Sequence, residues 1–407
     1  MATALSTTYY TDYLYERWLN SGAMQQILRH KAPLLGLIDV DETAGGRHYH
    51  VPILKKRPGG RSHTYATALA NATGSQADGF DVTYVNNYQV GILEGNVIRQ
   101  SKGDKNAIIA ALDHEVEGAI VNMKKDLRRG FFGNTGGARG VVSSISTVYL
   151  TLTNVEDTVN FEIGDEVCAA STDGTSGSLR DSGQAITVVG VNHADGIITA
   201  DENWSEIASM AAGDYVFHEG DFGADVAGLT GWVPQSAPGA TAWYGVVRNT
   251  NDILGGLRYD GRGKPKADAI MDASGIAEQF DADIGLAVCT PTVWTDIAKG
   301  LMADQGNRMT SISDNRGIVG YDAIVMYTQQ GMCKLVADPS CPKDTIFLLD
   351  LSTWKIASVG GPLVQVVDDD GLLIRRSTTA DAWLFEILFL GNLCCSAPGR
   401  NINLQIA

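Results

Sequence analysis

No stretch of this chain approaches the ~18 uninterrupted apolar residues that a membrane-spanning helix needs. The opening residues, MATALSTTYYTDYLYERW, carry no basic stretch followed by an apolar core, so no secretory signal is visible. Positive charge is scarce: 31 Lys and Arg stand against 47 Asp and Glu, a net charge of −16. That balance argues against a main surface built to grip nucleic acid, because phosphate binding rests on Lys and Arg clusters. It is compatible with a protein that sits beside DNA without sticking to it. The six cysteines (Cys168, Cys289, Cys333, Cys341, Cys394, Cys395) form no CxxC pair, which leaves reduced, buried thiols as their expected state. Cys394 and Cys395 are neighbours on an expected strand, so their side chains point to opposite faces and cannot pair with each other.

What is present is an ordinary folded composition, 44% hydrophobic and 19% charged over 407 residues, enough for two or three domains. Glycine is abundant, at 46, and points to many turns and β-structure. A weak apolar stripe (Tyr13, Trp18, Met24, Ile27, Leu28) runs through residues 12–31 and ends before Pro33. Residues 46–100 alternate like strands at each end around a Gly-, Pro- and Ala-rich centre. Tyr49, Val51 and Ile53 on one arm, and Val82, Tyr84, Val90 and Ile92 on the other, predict a long hairpin. Its tip has too little apolar material for a core of its own and needs another surface to lie on, often another subunit.

A single long helix is predicted next, capped by Asp104 and stopped by Gly130. Ile108, Leu112, Val116, Ala119, Ile120, Met123 and Leu127 recur at three- and four-residue steps and make one apolar stripe. About 25 residues at ~1.5 Å each give a rod of roughly 37 Å, the length of a structural span. Residues 145–222 contain five short β-type runs divided by Gly, Asp, Asn and Ser. Two similar words occur in them, Gly164-Asp165-Glu166-Val167 and Gly213-Asp214-Tyr215-Val216. Short strands, tight turns and no helix predict a small closed barrel inserted into a larger domain. From about 225 onward helices ("ADAIMDASGIAEQFDA"; "TPTVWTDIAKGLMADQ", with Pro291 in its first turn) alternate with strands. Asp368-Asp369-Asp370-Gly371 reads as a hairpin turn, and the whole tail as α+β with an antiparallel sheet.

Candidate chemistry fails on spacing. His114–Glu115 begins a zinc-protease motif, but the second ligand position holds Gly118. His48 and His50 share a strand face and His63 follows, without a cysteine or carboxylate at metal-ligand spacing; solvent-facing or interface histidines are the better reading. In GGLRYDGRGKPKAD, Gly256 and Gly261 have phosphate-loop spacing, but Arg262 and Gly263 replace the required Lys and hydroxyl residue, leaving a flexible basic loop. GTSGS (174–178) lacks the nucleophile-elbow register. The sequence therefore offers no catalytic, cofactor or metal residues. The sharpest charge feature is the basic group Lys55, Lys56, Arg57 and Arg61 at the hairpin tip. It is either a solvated loop or the complement of an acidic patch on a neighbouring copy.

An N-terminal arm, a long hairpin with a basic tip, a lone long helix and a mixed α+β region ending in strands together resemble the major capsid proteins of tailed bacteriophages, the Hong Kong 97-like fold. "VADPSCPKDTIFLLDLSTWKIASVGG", "VVDDDGLLIRR" and "LGNLCCSAPGRNINLQI" are similar in style to the C-terminal strands of those proteins. The resemblance implies an α+β subunit divided as N-arm (1–45), E-loop hairpin and start of the peripheral domain (46–100), spine helix and peripheral domain (101–144), inserted β-barrel (145–222), axial domain (223–345) and C-terminal strands (346–407). The barrel is a departure, since many relatives lack one.

The implied function is a major head protein that forms pentamers and hexamers and closes an icosahedral shell around double-stranded DNA, with no enzyme activity and no cofactor. Lys55, Lys56, Arg57 and Arg61 become candidate contacts between subunits. Ile108, Leu112, Val116, Ile120, Met123 and Leu127 become the core face of the spine. Some members cross-link an E-loop Lys to an Asn of a neighbour; Lys55 and Lys56 are possible donors, but no acceptor or acidic residue matches, so that activity is not carried over. Implied partners are identical subunits, a separate scaffolding protein, a portal and a cement or decoration protein, with DNA enclosed without sequence-specific binding and no membrane. No large cleaved scaffold segment is expected in front of the N-arm. The implied location is the virion, assembled in the host cytoplasm, and excess negative charge suits an inner wall facing packed DNA. The alternatives are an encapsulin-like compartment shell and, in a different class, a hydrolase with an accessory β-domain.

Overall fold

The computed structural model describes residues 34–95, 105–249, 251–304, 324–329, 331–360, 365–366 and 375–406. Its first strands are β1 (Asp39–Ala44), β2 (His48–Lys56), β3 (Gln76–Thr83) and β4 (Val85–Glu94), with helix α1 (Tyr65–Ala70) between β2 and β3. Helix α2 (Lys105–Gly130) follows, and then the six strands β5 (Gly140–Ser146), β6 (Tyr149–Leu152), β7 (Glu166–Ala170), β8 (Ile186–Asn192), β9 (Ile197–Ala200) and β10 (Tyr215–His218). The remainder comprises α3 (Leu229–Trp232), β11 (Ala242–Trp243), β12 (Val246–Val247), β13 (Leu257–Asp260), α4 (Lys266–Glu278), β14 (Leu286–Cys289) and α5 (Pro291–Asp304). It ends with β15 (Ile324–Thr328), β16 (Gly331–Ala337), β17 (Thr345–Leu349), β18 (Trp354–Val359), β19 (Gln365–Val366), β20 (Arg375–Arg376), β21 (Ala382–Cys395) and β22 (Ile402–Gln405). The predicted arm stripe at 12–31, the Asp104 cap and the Asp368–Gly371 turn lie outside the described residues.

β21, at 14 residues the longest strand described, organises the first sheet. It pairs antiparallel with β4 over ten residues from Ala382↔Glu94 to Gly391↔Val85, and also with β18, β19 and β20. α2 packs on β4 and β21. A second sheet has the order β13-β22-β17-β14-β16-β15, with α4 and α5 against it. Both sheets are mixed, which corrects the expected antiparallel tail: β1–β18, β13–β22 and β14–β16 run parallel. α5 begins as read from the sequence, with Thr290 Oγ1 accepting from the Val293 amide.

The predicted hairpin is real but shorter than expected. Only Val82 of the second arm lies opposite the first, on β3; Val90 and Ile92 belong to β4, which turns away to join β21. In the 140–218 segment six strands hydrogen-bond in the order β10-β5-β6-β9-β8-β7, and β10 pairs with both β5 and β7, so the ring closes. Its first strand starts at Gly140, five residues before the expected boundary. A separate core fills it, built on Leu150, Val167, Val188, Ile198, Trp204 and Val216.

The two Gly-Asp words make the same turn. Gly164 and Gly213 have φ of +97° and +90°, the position where a type II turn demands glycine. Asp165 then accepts from the Glu162 amide (2.8 Å) and Asp214 from the Ala211 amide (2.9 Å). The paired strands β7 and β10 start from these two turns.

Candidate assembly surfaces

The base of the β2–β3 hairpin is held by its inward residues. Val51, Ile53, Phe80 and Val82 are buried in the main core, and the Phe80 ring meets Trp232 edge-on at 5.0 Å. Trp232 in turn donates its indole N–H to the Leu393 carbonyl on β21 (3.0 Å). A two-stranded ribbon is marginal alone, so this anchorage is what fixes it. Beyond Ile53 the support ends. Leu54, Tyr65 and Leu69 are 58%, 82% and 62% exposed, and α1 buries no residue. The Gly59 amide closes the tip on the Thr73 carbonyl (3.0 Å).

Lys55, Lys56, Arg57 and Arg61 all lie exposed at this end. Lys55 reaches Asp78 at 3.5 Å; Lys56, Arg57 and Arg61 make no ion pair among the described residues. The structure therefore brings the four candidate contact residues read from the sequence onto one hairpin end, beside three exposed apolar side chains. His50 Nδ1 lies 2.7 Å from Asp81 Oδ1, and its ring covers Gly79, where a Cβ would come within 2.3 Å of it. His48 and His63 are exposed.

On α2, Ala119, Met123 and Leu127 are buried and Ile120 packs against the same core. The stripe read from sequence thus holds in the described half; the side chains of Ile108, Leu112, Val116 and His114 lie outside the described residues. Burial raises the Glu115 carboxyl above its usual range. Gly130 serves close packing rather than a left-handed stop: it is the last helical residue, and a Cβ there would come within 2.5 Å of Asp225 Oδ1.

The end of α2 carries a polar junction that composition and spacing did not reveal. Arg128 Nε donates to Asp338 Oδ1 at 2.7 Å, with the two side chains only 5% and 0% exposed. Arg129 lies 3.0 Å from Asp225 and 3.4 Å from Asp221. Arg139 bridges Asp126 (2.7 Å) and Asp221 (2.8 Å). Burial would raise the Asp126 carboxyl, but the Arg139 and Arg129 guanidiniums outweigh it and hold that carboxyl low. At Asp225 burial wins over Arg129 and the carboxyl is raised. Arg128 and Arg129 also stand in the last helical turn, where a cation offsets the negative helix terminus. Each carboxylate here faces a guanidinium, which makes the junction a clamp between α2, the two ends of the ring and β16.

The other residues weighed for chemistry are also placed. The predicted flexible basic loop is instead β13 and a tight turn into α4, pinned by Arg262–Asp260 and Lys264–Asp272 pairs at 2.6 Å each. All six cysteines are free and buried, and burial pushes Cys394 and Cys395 up to about 12. Sequence reasoning also passed over buried asparagines. Asn392 accepts from the Ala227 amide and donates to the Thr83 carbonyl (2.8 Å each), while Asn401 takes the Trp354 indole N–H (2.8 Å). Their surrounding word, GNLCCSAPGRNINLQ, was visible only as a C-terminal strand signal.

No family model matches the chain, and no curated protein matches it in sequence. Solved structures do. The cyanophage A-1(L) capsid asymmetric unit is similar over 94% of both chains, at 12% identity and a TM-score of 0.54. The capsid of an empty GTA particle is similar over 95% of this chain and 94% of the other, at 11% identity and a TM-score of 0.50. The chain thus has the fold of phage capsid subunits, a sheet-rich α+β architecture. An encapsulin complex from Synechococcus elongatus is matched at 9% identity over 99% of this chain and 96% of that one, with a TM-score of 0.44.

Proposed function

We propose that the protein is the major head protein of a tailed bacteriophage, a Hong Kong 97-like subunit that forms pentamers and hexamers and closes an icosahedral shell around double-stranded DNA. The observation that carries this reading is the capsid likeness over 94% of the chain. On this reading the hairpin is the E-loop, α2 the spine, the second sheet with α4 and α5 the axial domain, the first sheet the peripheral domain, and the six-stranded ring an inserted β-barrel. Lys55, Lys56, Arg57 and Arg61 are contacts between subunits. The hairpin supports that role because Tyr65 and Leu69 are exposed and Lys56, Arg57 and Arg61 make no ion pair among the described residues, the state expected of a surface completed by assembly.

The work of such a protein is done by many repeated contacts between identical copies, and it requires no bond-making site. A scaffolding protein, a portal and a decoration protein complete the proposed partners, with assembly in the host cytoplasm. No helix among the described residues is long and apolar enough to cross a membrane. Sedimentation velocity of the purified protein tests the reading: capsomers or shells are expected, and a small species that persists at high concentration overturns it.

A further inference from the structure

The chain's charge is segregated. Residues 140–222 contain 14 acidic residues and one basic residue, Arg180, a net of −13; the other 324 residues hold 33 acidic and 30 basic, a net of only −3. Residues 46–75 are the reverse, with five basic residues (Arg47, Lys55, Lys56, Arg57, Arg61) and no acidic one. The excess negative charge therefore sits on the strand ring and is not spread over the subunit.

Neither side is fully neutralised within the subunit among the described residues. Arg139 and Arg129 meet Asp221, Lys125 meets Glu162 and Lys55 meets Asp78, and other charges on both sides stay unpaired. Arg180, the ring's lone cation, is taken by Asp214 at 2.9 Å. Glu166, Asp181, Asp201, Glu202 and Glu206 are exposed and make no ion pair among the described residues. Asp201, Glu202 and Glu206 stand on the Asp201–Ala208 loop, and hydrogen bonds tie Glu166 and Asp181 to it. Thr187 donates to Glu166 (3.4 Å) and accepts from the Asp201 amide (3.1 Å), and the Ala208 amide donates to Asp181 (3.4 Å). On the hairpin the unpaired cations Lys56, Arg57 and Arg61 adjoin the exposed Leu54, Tyr65 and Leu69.

We propose that the hairpin tip of one copy docks on the acidic ring of a second copy. This rests on the shell-subunit reading and deepens it by naming the surface that receives the hairpin. The complementarity is internal to one sequence: among the described residues the hairpin keeps the cations Lys56, Arg57 and Arg61 unpaired and the ring keeps Glu166, Asp181, Asp201, Glu202 and Glu206 unpaired, so a homo-oligomer can satisfy both. Screening follows, because these groups are exposed and interact through solvent.

Three charge-reversed proteins test it: a hairpin variant (Lys56→Glu, Arg57→Glu, Arg61→Glu), a ring variant (Asp201→Lys, Glu202→Lys, Glu206→Lys) and their combination. Circular dichroism confirms that each is folded, and sedimentation reads the assembled fraction. Each single-surface variant should lose at least about tenfold of that fraction, and the combination should recover to within about threefold of the parent. A folded hairpin or ring variant that assembles like the parent overturns the proposal, as does a combination no better than the worse variant. In parent protein assembled from mixed light and 15N subunits, zero-length carbodiimide coupling gives a second test that needs no variant. It should join Lys55 or Lys56 of one subunit to a ring carboxylate of another; inter-subunit coupling found only elsewhere overturns the proposal. A parent protein that never assembles refutes the shell reading itself, which separates the two failures.

Discussion

Replacing Asp338 by Asn should destabilise the subunit by about 3–5 kcal/mol, the usual cost of removing one partner from a buried ion pair. The side chains of Arg128 and Asp338 are 5% and 0% exposed, and they meet through one 2.7 Å contact. Asparagine keeps the volume and can still accept from the Ser340 amide, which lies 3.0 Å from Asp338 Oδ1. What it removes is the charge opposite Arg128, whose Nη2 has no hydrogen bond in the described structure. The stranded guanidinium should then carry most of the loss. Adding Arg128→Met should return stability to within about 1 kcal/mol of the parent, because a buried pair is often replaceable by apolar packing although half of it is not. Urea unfolding of dissociated subunits measures both. A single variant costing less than about 1 kcal/mol, or a double as unstable as the single, would refute the argument that this junction is desolvated.

Other expectations follow from burial and close approach. Burial raises the Asp157 carboxyl to about 6, so the folded state holds this proton more tightly than the unfolded chain, and the group's contribution falls as pH rises from about 4 through 6. Asp157→Asn should therefore stabilise the subunit at pH 7–8, by on the order of 2–3 kcal/mol, and confer little at pH 4, as thermal melts across pH can check. A Cβ on Gly228 would lie 2.4 Å from the Gly130 carbonyl oxygen and 2.6 Å from the Gly133 amide nitrogen. Gly228→Ala should accordingly cost about 3 kcal/mol in urea unfolding, since backbone must move on both sides. Tyr65→Ser with Leu69→Ser should leave the melting temperature of dissociated subunits nearly unchanged, because both are exposed, while lowering the assembled fraction in sedimentation.

Local pattern made much of this architecture readable. The hairpin's first arm alternates Val51 and Ile53 inward, the α2 stripe recurs at helical steps through Ala119, Met123 and Leu127, and the two Gly-Asp words mark equivalent turns into β7 and β10. What stayed hidden depends on residues far apart in the chain. The parallel pairing of β1 with β18, the departure of β4 to join β21, and the Arg128–Asp338 bond across 210 positions have no periodicity to announce them. The same holds for Asn392, whose polar contacts reach back to Ala227 and Thr83. The candidate contact surface was half legible. The basic group at 55–61 stood out against a net charge of −16, whereas its position beside exposed Tyr65 and Leu69 needed the fold.

Electron microscopy of the expressed, purified protein tests the central claim most directly. The account predicts rings of five and six subunits or closed icosahedral particles, with the long helix and both sheets fitting each copy. A uniform population of isolated monomers or small dimers, unchanged by concentration, would contradict it.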